Sequence, residues 1–264
     1  MAGGSILQLR NVLAFSLSLI AAHPQAGGLP SSSGDTRASP VAIVELFTSE
    51  GCSSCPPADE LLRQVNLKEA PSGQLIVGIS EHVTYWNNLG WKDPYSSPVF
   101  TDRQSVYASR FAGEGPYTPQ MVVNGRDQFV GSDGNALNQA LRADAQRGHF
   151  DLRLTSSALS SNGVDLTFAF VGHPSKPLDI VAVLTDDADR SNVLRGENSG
   201  RLLQHVSVAR SLDRVATVTG DMEKSVHLSL PAGAQITPGS GHHLVLFAQE
   251  AHQGAIVGAV TSAL

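Results

Sequence analysis

The sequence predicts an α/β domain joined to an all-β domain, and three observations carry that expectation. Residues 41–147 alternate short apolar runs with stretches of helical period. From about His149 onward only short alternating segments remain, divided by turn residues such as Pro174 and Gly196 to Gly200. Cys52 and Cys55, the two cysteines of the 264-residue chain, fall between the first apolar run and the first helical stretch.

The elements follow in order. Val41–Phe47 is almost continuously apolar and rich in β-branched residues, which suits a buried strand. Pro57–Leu67 places Leu61, Leu62 and Val65 on one face and Asp59 and Glu60 in its first turn, which suits a helix. Gln74–Ile79 reads as a second buried strand. Ser80–Pro98 is an irregular stretch holding His82, Tyr85, Trp86, Trp91 and Tyr95, and Val99–Phe111 is a second helix. Gln120–Gly131 reads as a hairpin turning at Asn124-Gly125, after which Asp133 or Asn135 caps a helix through Leu137, Leu141 and Ala145. The order β-α-β-α-β-β-α, with the cysteines after the first strand, is that of a thioredoxin-like core: a mixed sheet flanked by helices. Beyond it, Asp151–Ser157, Val164–Val171, Asp179–Asp186, Leu202–Leu212, Arg214–Thr219, Ser225–Leu230, His243–Glu250 and Ala255–Thr261 suit a β-sandwich.

Charge and the first residues narrow the setting. A net charge of −6, with no basic run, argues against a nucleic-acid or anionic-membrane binder. Arg10 precedes the apolar stretch Val12–Ala22, which suits the core of a signal peptide and is short for a membrane span. An uncleaved anchor is the alternative. The expected organisation is a signal peptide over 1–26, a flexible leader over 27–39, the thioredoxin-like domain over 40–148 and the β-sandwich-like domain over 149–264. The protein is expected to be exported, periplasmic or secreted, with no stable membrane span once the signal is removed.

Export permits a disulfide, and a structural staple is the plain reading of two cysteines. Loop entropy argues against it: closing four residues contributes about 2 kcal/mol, against about 4.7 kcal/mol for a hundred. A redox pair fits the position better. Cys52 is then the attacking thiol, near an exposed turn and activated by helix amides, and Cys55 resolves the mixed disulfide. Thr118-Pro119, immediately before the strand Gln120–Val123, is the candidate substrate platform, with a cis bond expected before Pro119. His82 is a proton carrier or a structural histidine, and Trp86 and Trp91 line a groove or pack as a lid. Lys92, Asp93 and Arg103 read as solvated or salt-bridged supports. Val193–Arg201 is a polar hairpin loop, a latch or a binding loop.

The run Glu45-Leu46-Phe47-Thr48-Ser49-Glu50-Gly51-Cys52-Ser53-Ser54-Cys55-Pro56-Pro57-Ala58-Asp59 closely resembles the signature of the domain-of-unknown-function 1223 family. His82 to Pro94, Tyr117–Gly125 and Arg195 to Arg210 resemble further blocks of that family, in the same order. The resemblance spans roughly residues 40–264. It implies a secreted, thioredoxin-like protein with a redox-type pair at Cys52 and Cys55, and a role for the 195–201 loop beyond that of a hairpin.

The leading expectation is an exported thiol–disulfide oxidoreductase without a cofactor, acting on protein thiols or disulfides, small thiols or a redox partner protein. A copper(I) chaperone using Cys52, Cys55 and His82 is the alternative. A third is a non-enzymatic binding protein that recognises partners through its β-domain. A peroxidase has weaker support, because Ser49 stands alone in the place its active site would need.

Overall fold

The computed structural model describes residues 1–4, 40–111, 115–160, 162–230 and 241–264. Apart from the first four residues, the expected signal peptide and leader lie outside the described residues.

The first half folds as β1 (Val41–Thr48), α1 (Pro56–Val65), β2 (Leu75–His82), α2 (Pro98–Arg110), β3 (Gln120–Val123), β4 (Asp127–Val130) and α3 (Gly134–Asp144). β1 runs parallel to β2 and antiparallel to β3, which turns back into β4. Alternation along β1 divides its side chains between two layers. Ala42, Val44 and Leu46 pack with Ala58 and Leu62 of α1 and Leu137 and Leu141 of α3. Ile43 and Phe47 face the opposite layer, where Phe100 and Tyr107 of α2 lie.

Local chemistry sets the helix starts. Pro56 and Pro57 occupy the first turn of α1, where no intrahelical donor is needed. Ser97 caps α2 by accepting from Val99 N, and Asp133 caps α3 by accepting from Asn135 N and Ala136 N. Asn124 and Gly125 hold φ of 45° and 61°, as the tight β3–β4 hairpin requires.

After α3 the chain is all strand: β5 (Asp151–Ser160), β6 (Gly163–Val171), β7 (Leu178–Asn192), β8 (Leu202–Val218), β9 (Met222–Ser229), β10 (His242–Glu250) and β11 (Ile256–Ala263). The expected strands Leu202–Leu212 and Arg214–Thr219 are one strand, β8. Asp213 does not break it but pairs with Ala182, and two register irregularities against β7 absorb the mismatch.

These strands build two sheets. The larger is mixed and eight-stranded, in the order β11-β10-β7-β8-β2-β1-β3-β4, and the second is the antiparallel β5-β6-β9. Leu166, Phe168 and Phe170 of β6 pack on Ile180 and Leu184 of β7 and Leu246 of β10, so the two sheets face one another. The change of pattern between α3 and β5 is therefore not a break in the sheet. β8 lies beside β2, parallel to it at Ser80 and Val208, and so covers an edge of a buried strand that would otherwise expose unpaired amides. Residues Ala38–Leu264 form one unit, an α/β fold in which strands dominate. Among the described residues no helix is long and apolar enough to cross a membrane.

Candidate functional site

The cysteine turn is built on the end of β1. After Thr48 the chain folds back, with Cys52 N donating to Ser49 O at 3.1 Å and Cys55 N donating to Cys52 O at 3.2 Å. The Cys55 carbonyl then accepts from Ala58 N and Asp59 N at 2.8 and 3.1 Å, which starts α1. Cys52 and Cys55 form a disulfide with Cα atoms 5.4 Å apart.

Both cysteines are wholly buried, while Ser53 and Ser54 between them are exposed. This corrects the expectation that Cys52 stands nearer an exposed turn. The β7–β8 connection lies over the turn and is bonded to its backbone. Asn198 is itself fully buried, and its amide nitrogen donates to Glu50 O and Cys52 O, both at 2.9 Å. Beside it, Ser53 N donates to Glu197 Oε2 at 3.0 Å. Of the readings open to Val193–Arg201, a bare hairpin loop is thus excluded.

The platform residues reach the turn through α1 and Trp86. The Thr118–Pro119 bond is cis. A Cβ added at Gly131 would come within 3.0 Å of both Pro119 Cβ and Ala58 Cβ, so Pro119 sits against the first turn of α1. Trp86 Nε1 donates to Thr118 Oγ1 at 2.8 Å, and a Cβ at Gly51 would lie 3.0 Å from Trp86 Cβ. Trp86 thus bridges the platform and the cysteine turn. Trp91 takes a different place, its Nε1 donating to Glu50 Oε2 at 2.7 Å.

Behind the turn lies a buried set of charged groups. Glu50 Oε1 is 3.3 Å from His205 Nε2, and Asp59 Oδ1 is 3.8 Å from His205 Nδ1, an ion-pair distance rather than a hydrogen bond. Thr48 Oγ1 donates to Asp59 Oδ1 at 2.9 Å. Burial alone would push the His205 pKa down, but the Asp59 and Glu50 carboxylates outweigh it and hold the value at about 10. His205 is therefore a buried cation at neutral pH.

His82 lies next to this set without joining it. Its Nδ1 donates to Asp93 Oδ2 at 2.7 Å, and its ring meets those of His205 and Tyr95 edge-on, with centroids 4.7 and 5.3 Å apart. Asp93 also accepts from Glu50 N at 2.8 Å and Tyr95 N at 2.9 Å. Burial raises the Asp93 pKa, but His82 and these amides outweigh it, and the net result lies below the usual value. Of the two readings of Asp93, solvated or salt-bridged, the structure has the second: it is a buried tie, paired with His82, between the 82–95 stretch and the cysteine turn.

Arg103 is likewise buried, on the α2 side of the sheet. It pairs with Glu45, and Tyr107 Oη donates to Glu45 Oε2 at 2.6 Å. Glu81 Oε1 is 3.7 Å from Arg103 Nε. Burial first, and then the Glu45 charge, raises the Glu81 pKa well above the usual carboxyl range.

For the copper(I) set the picture is simple. The cysteines are bonded to each other, His82 is bonded to Asp93, and among the described residues no group of three or more His, Cys, Asp or Glu side chains is arranged to hold a metal. Glu50 and His205 both fall in blocks that resemble the family, but their pairing at the site escapes sequence reasoning. His205 alternates within an ordinary strand pattern, and nothing in its neighbours ties it to residues 155 positions away.

The fold and site define an α/β protein with a strand-dominated mixed sheet and a CxxC disulfide at the start of a helix. The chain belongs to the family of proteins of unknown function DUF1223, whose model it matches over residues 43–249. A crystal structure of a protein from Agrobacterium tumefaciens is similar at 30% identity and TM-score 0.63, covering 83% of this chain and 92% of that one. The structure of Pseudomonas fluorescens alkylpurine DNA glycosylase AlkC bound to DNA containing an abasic site analog overlaps 47% of this chain and 32% of that one at 11% identity and a TM-score of only 0.24. No protein of curated function matches.

Proposed function

We propose that this chain is an exported thiol–disulfide oxidoreductase with a thioredoxin-like core, acting on protein thiols or disulfides. One observation carries the reading: the only two cysteines sit at a strand–turn–helix junction, where Cys55 caps α1 and Pro119 rests against the first helical turn. Helix-end amides favour a thiolate there. The β2-β1-β3-β4 order, with α1 following β1, also supports a thioredoxin-like core. The apolar stretch after Arg10 supports export.

In the reduced form, the Cys52 thiolate attacks one sulfur of a partner disulfide. A mixed disulfide forms, and the partner's other sulfur leaves as a thiolate that takes up a proton. Cys55 then loses its proton and attacks Cys52, the mixed disulfide breaks, and the second partner sulfur leaves. Two electrons pass from the pair to the partner, and the reverse sequence oxidises a partner dithiol. The test is substitution in the native compartment. Cys52→Ser abolishes exchange, and Cys55→Ser accumulates mixed disulfides through Cys52, seen on non-reducing gels. No trapped species with Cys55→Ser, and unchanged exchange with Cys52→Ser, would sink the reading.

Complete burial of both cysteines favours one second reading, a non-enzymatic binding protein whose disulfide is inert. In that case the pair stays oxidised in mild reductant at neutral pH, whatever is done to its cover.

A further inference from the structure

A buried disulfide cannot exchange with a partner until something moves, and one surface connection is bonded directly to the backbone around it. The β7–β8 connection reaches the cysteine turn through three hydrogen bonds: Asn198 Nδ2 to the carbonyls of Glu50 and Cys52, and Ser53 N to the Glu197 carboxylate. These are backbone groups on both sides of Cys52. An extended partner chain presenting its own amides and carbonyls to Cys52 would use groups of the same kind.

The connection is also braced within itself. Val193 N donates to Arg201 O, Gly200 N to Val193 O and Ser199 N to Gly196 O, while Arg201 Nη1 donates to Asn198 Oδ1. It can therefore move as a unit. Apart from Val193, which is buried at its base, little apolar burial holds it down, because residues 194–197 and 199–202 are exposed and Leu194 is 71% exposed. Segments with few buried apolar contacts open at low free energy. Gly196 holds φ of 78°, and a Cβ there would come within 3.3 Å of Trp91 Cβ, so glycine suits the closed position beside the 89–91 backbone.

We propose that residues 193–201 form an internal cap that occupies the partner-facing backbone of the cysteine turn, and that the pair reacts only when the cap lifts. The proposal rests on the oxidoreductase reading and adds its control: a closed, protected disulfide at rest, released by a polypeptide that displaces Asn198 and Glu197.

The chemistry of the test needs no physiological partner. A small dithiol such as dithiothreitol attacks one cysteine sulfur through its thiolate, the Cys52–Cys55 bond breaks, and the freed cysteine takes a proton. The reductant's second thiol then attacks the mixed disulfide, leaving a cyclic disulfide and a reduced pair, with two electrons and two protons transferred. The rate is followed on the full chain by quenching with a thiol-alkylating mass tag. Asn198→Ala removes two of the three bonds and is expected to speed reduction about tenfold or more. Glu197→Ala removes the outer bond from an exposed residue and gives a several-fold increase. Both should keep a cooperative thermal transition. Should Asn198→Ala fail to fold, Glu197→Ala decides alone. Folded variants that reduce at the wild-type rate overturn the cap. The oxidoreductase reading has its own separate outcome: fast reduction in the variants together with no mixed disulfide in Cys55→Ser keeps the cap and removes the enzyme.

Discussion

His205 Nε2 lies 3.3 Å from Glu50 Oε1, joining the start of β8 to the residue two places before Cys52. The pair is fully enclosed, and Asp59 approaches the other ring nitrogen at 3.8 Å. One cation from the second half of the chain therefore serves two carboxylates that bracket the cysteine turn, one before Cys52 and one after Cys55. Removing either charge from a buried pair leaves the other uncompensated, and this costs more than the pair itself contributes.

That arrangement sets a pH dependence. The unfolded histidine titrates near 6.5, and in the folded protein it is held at about 10. A raised folded-state pKa gives stability that is complete below the unfolded value and is lost as pH rises through the folded one. The stability difference between wild type and His205→Gln should thus be largest near pH 6, about 3 kcal/mol or more, and shrink steadily toward pH 10. Urea unfolding at a series of pH values measures it. A difference that stays level across that range would show that His205 is not a folded-state cation.

The cluster under α2 predicts opposite effects for two glutamates. Glu81 is forced toward its protonated form by burial and by the neighbouring Glu45. The unfolded chain ionises this carboxyl above its usual value, so Glu81 withdraws stability as pH rises beyond that point. Glu81→Gln should be neutral at pH 4 and stabilising by about 1 kcal/mol at pH 7 to 8. Glu45→Gln should instead cost about 3 kcal/mol at neutral pH, because it takes the closest charge from buried Arg103 and an acceptor from Tyr107. Equal losses in the two variants would contradict the assignment of charge.

The sequence made the first half of this fold legible because its signals are local. An apolar β-branched run gives β1, two prolines and an acidic first turn give α1, and Asn124-Gly125 gives the β3–β4 turn. The cysteine pair is local too. What covers it and what charges it are not. Asn198 and His205 reach the turn only because β8 joins the sheet edge of β2, and a strand pattern carries no record of which edge it will meet. For the same reason the sequence sets the second half apart as its own domain, where β7, β8, β10 and β11 extend the sheet of the first half and β5, β6 and β9 form a second sheet packed on it. The resemblance of Arg195–Arg201 to a family block was the one sign that this loop does more than turn the chain.

Asn124 offers a test of how the hairpin is tied to the core. Its Oδ1 accepts from Ile43 N at 2.8 Å, its Nδ2 donates to Asp144 Oδ2 at 2.7 Å, and its backbone sits at φ 45°. Two separate costs follow from two substitutions. Asn124→Gly keeps the left-handed backbone without strain but leaves the Ile43 amide and the Asp144 carboxylate each short of a buried partner, a loss of about 2 to 3 kcal/mol. Asn124→Ala loses the same bonds and must also hold a Cβ at positive φ, which adds about 1 kcal/mol. The order of stability should be wild type, then Gly, then Ala, read from the midpoints of urea unfolding at constant slope. If Ala proves as stable as Gly, backbone conformation is not what selects asparagine here, and its side-chain bonds alone account for the residue.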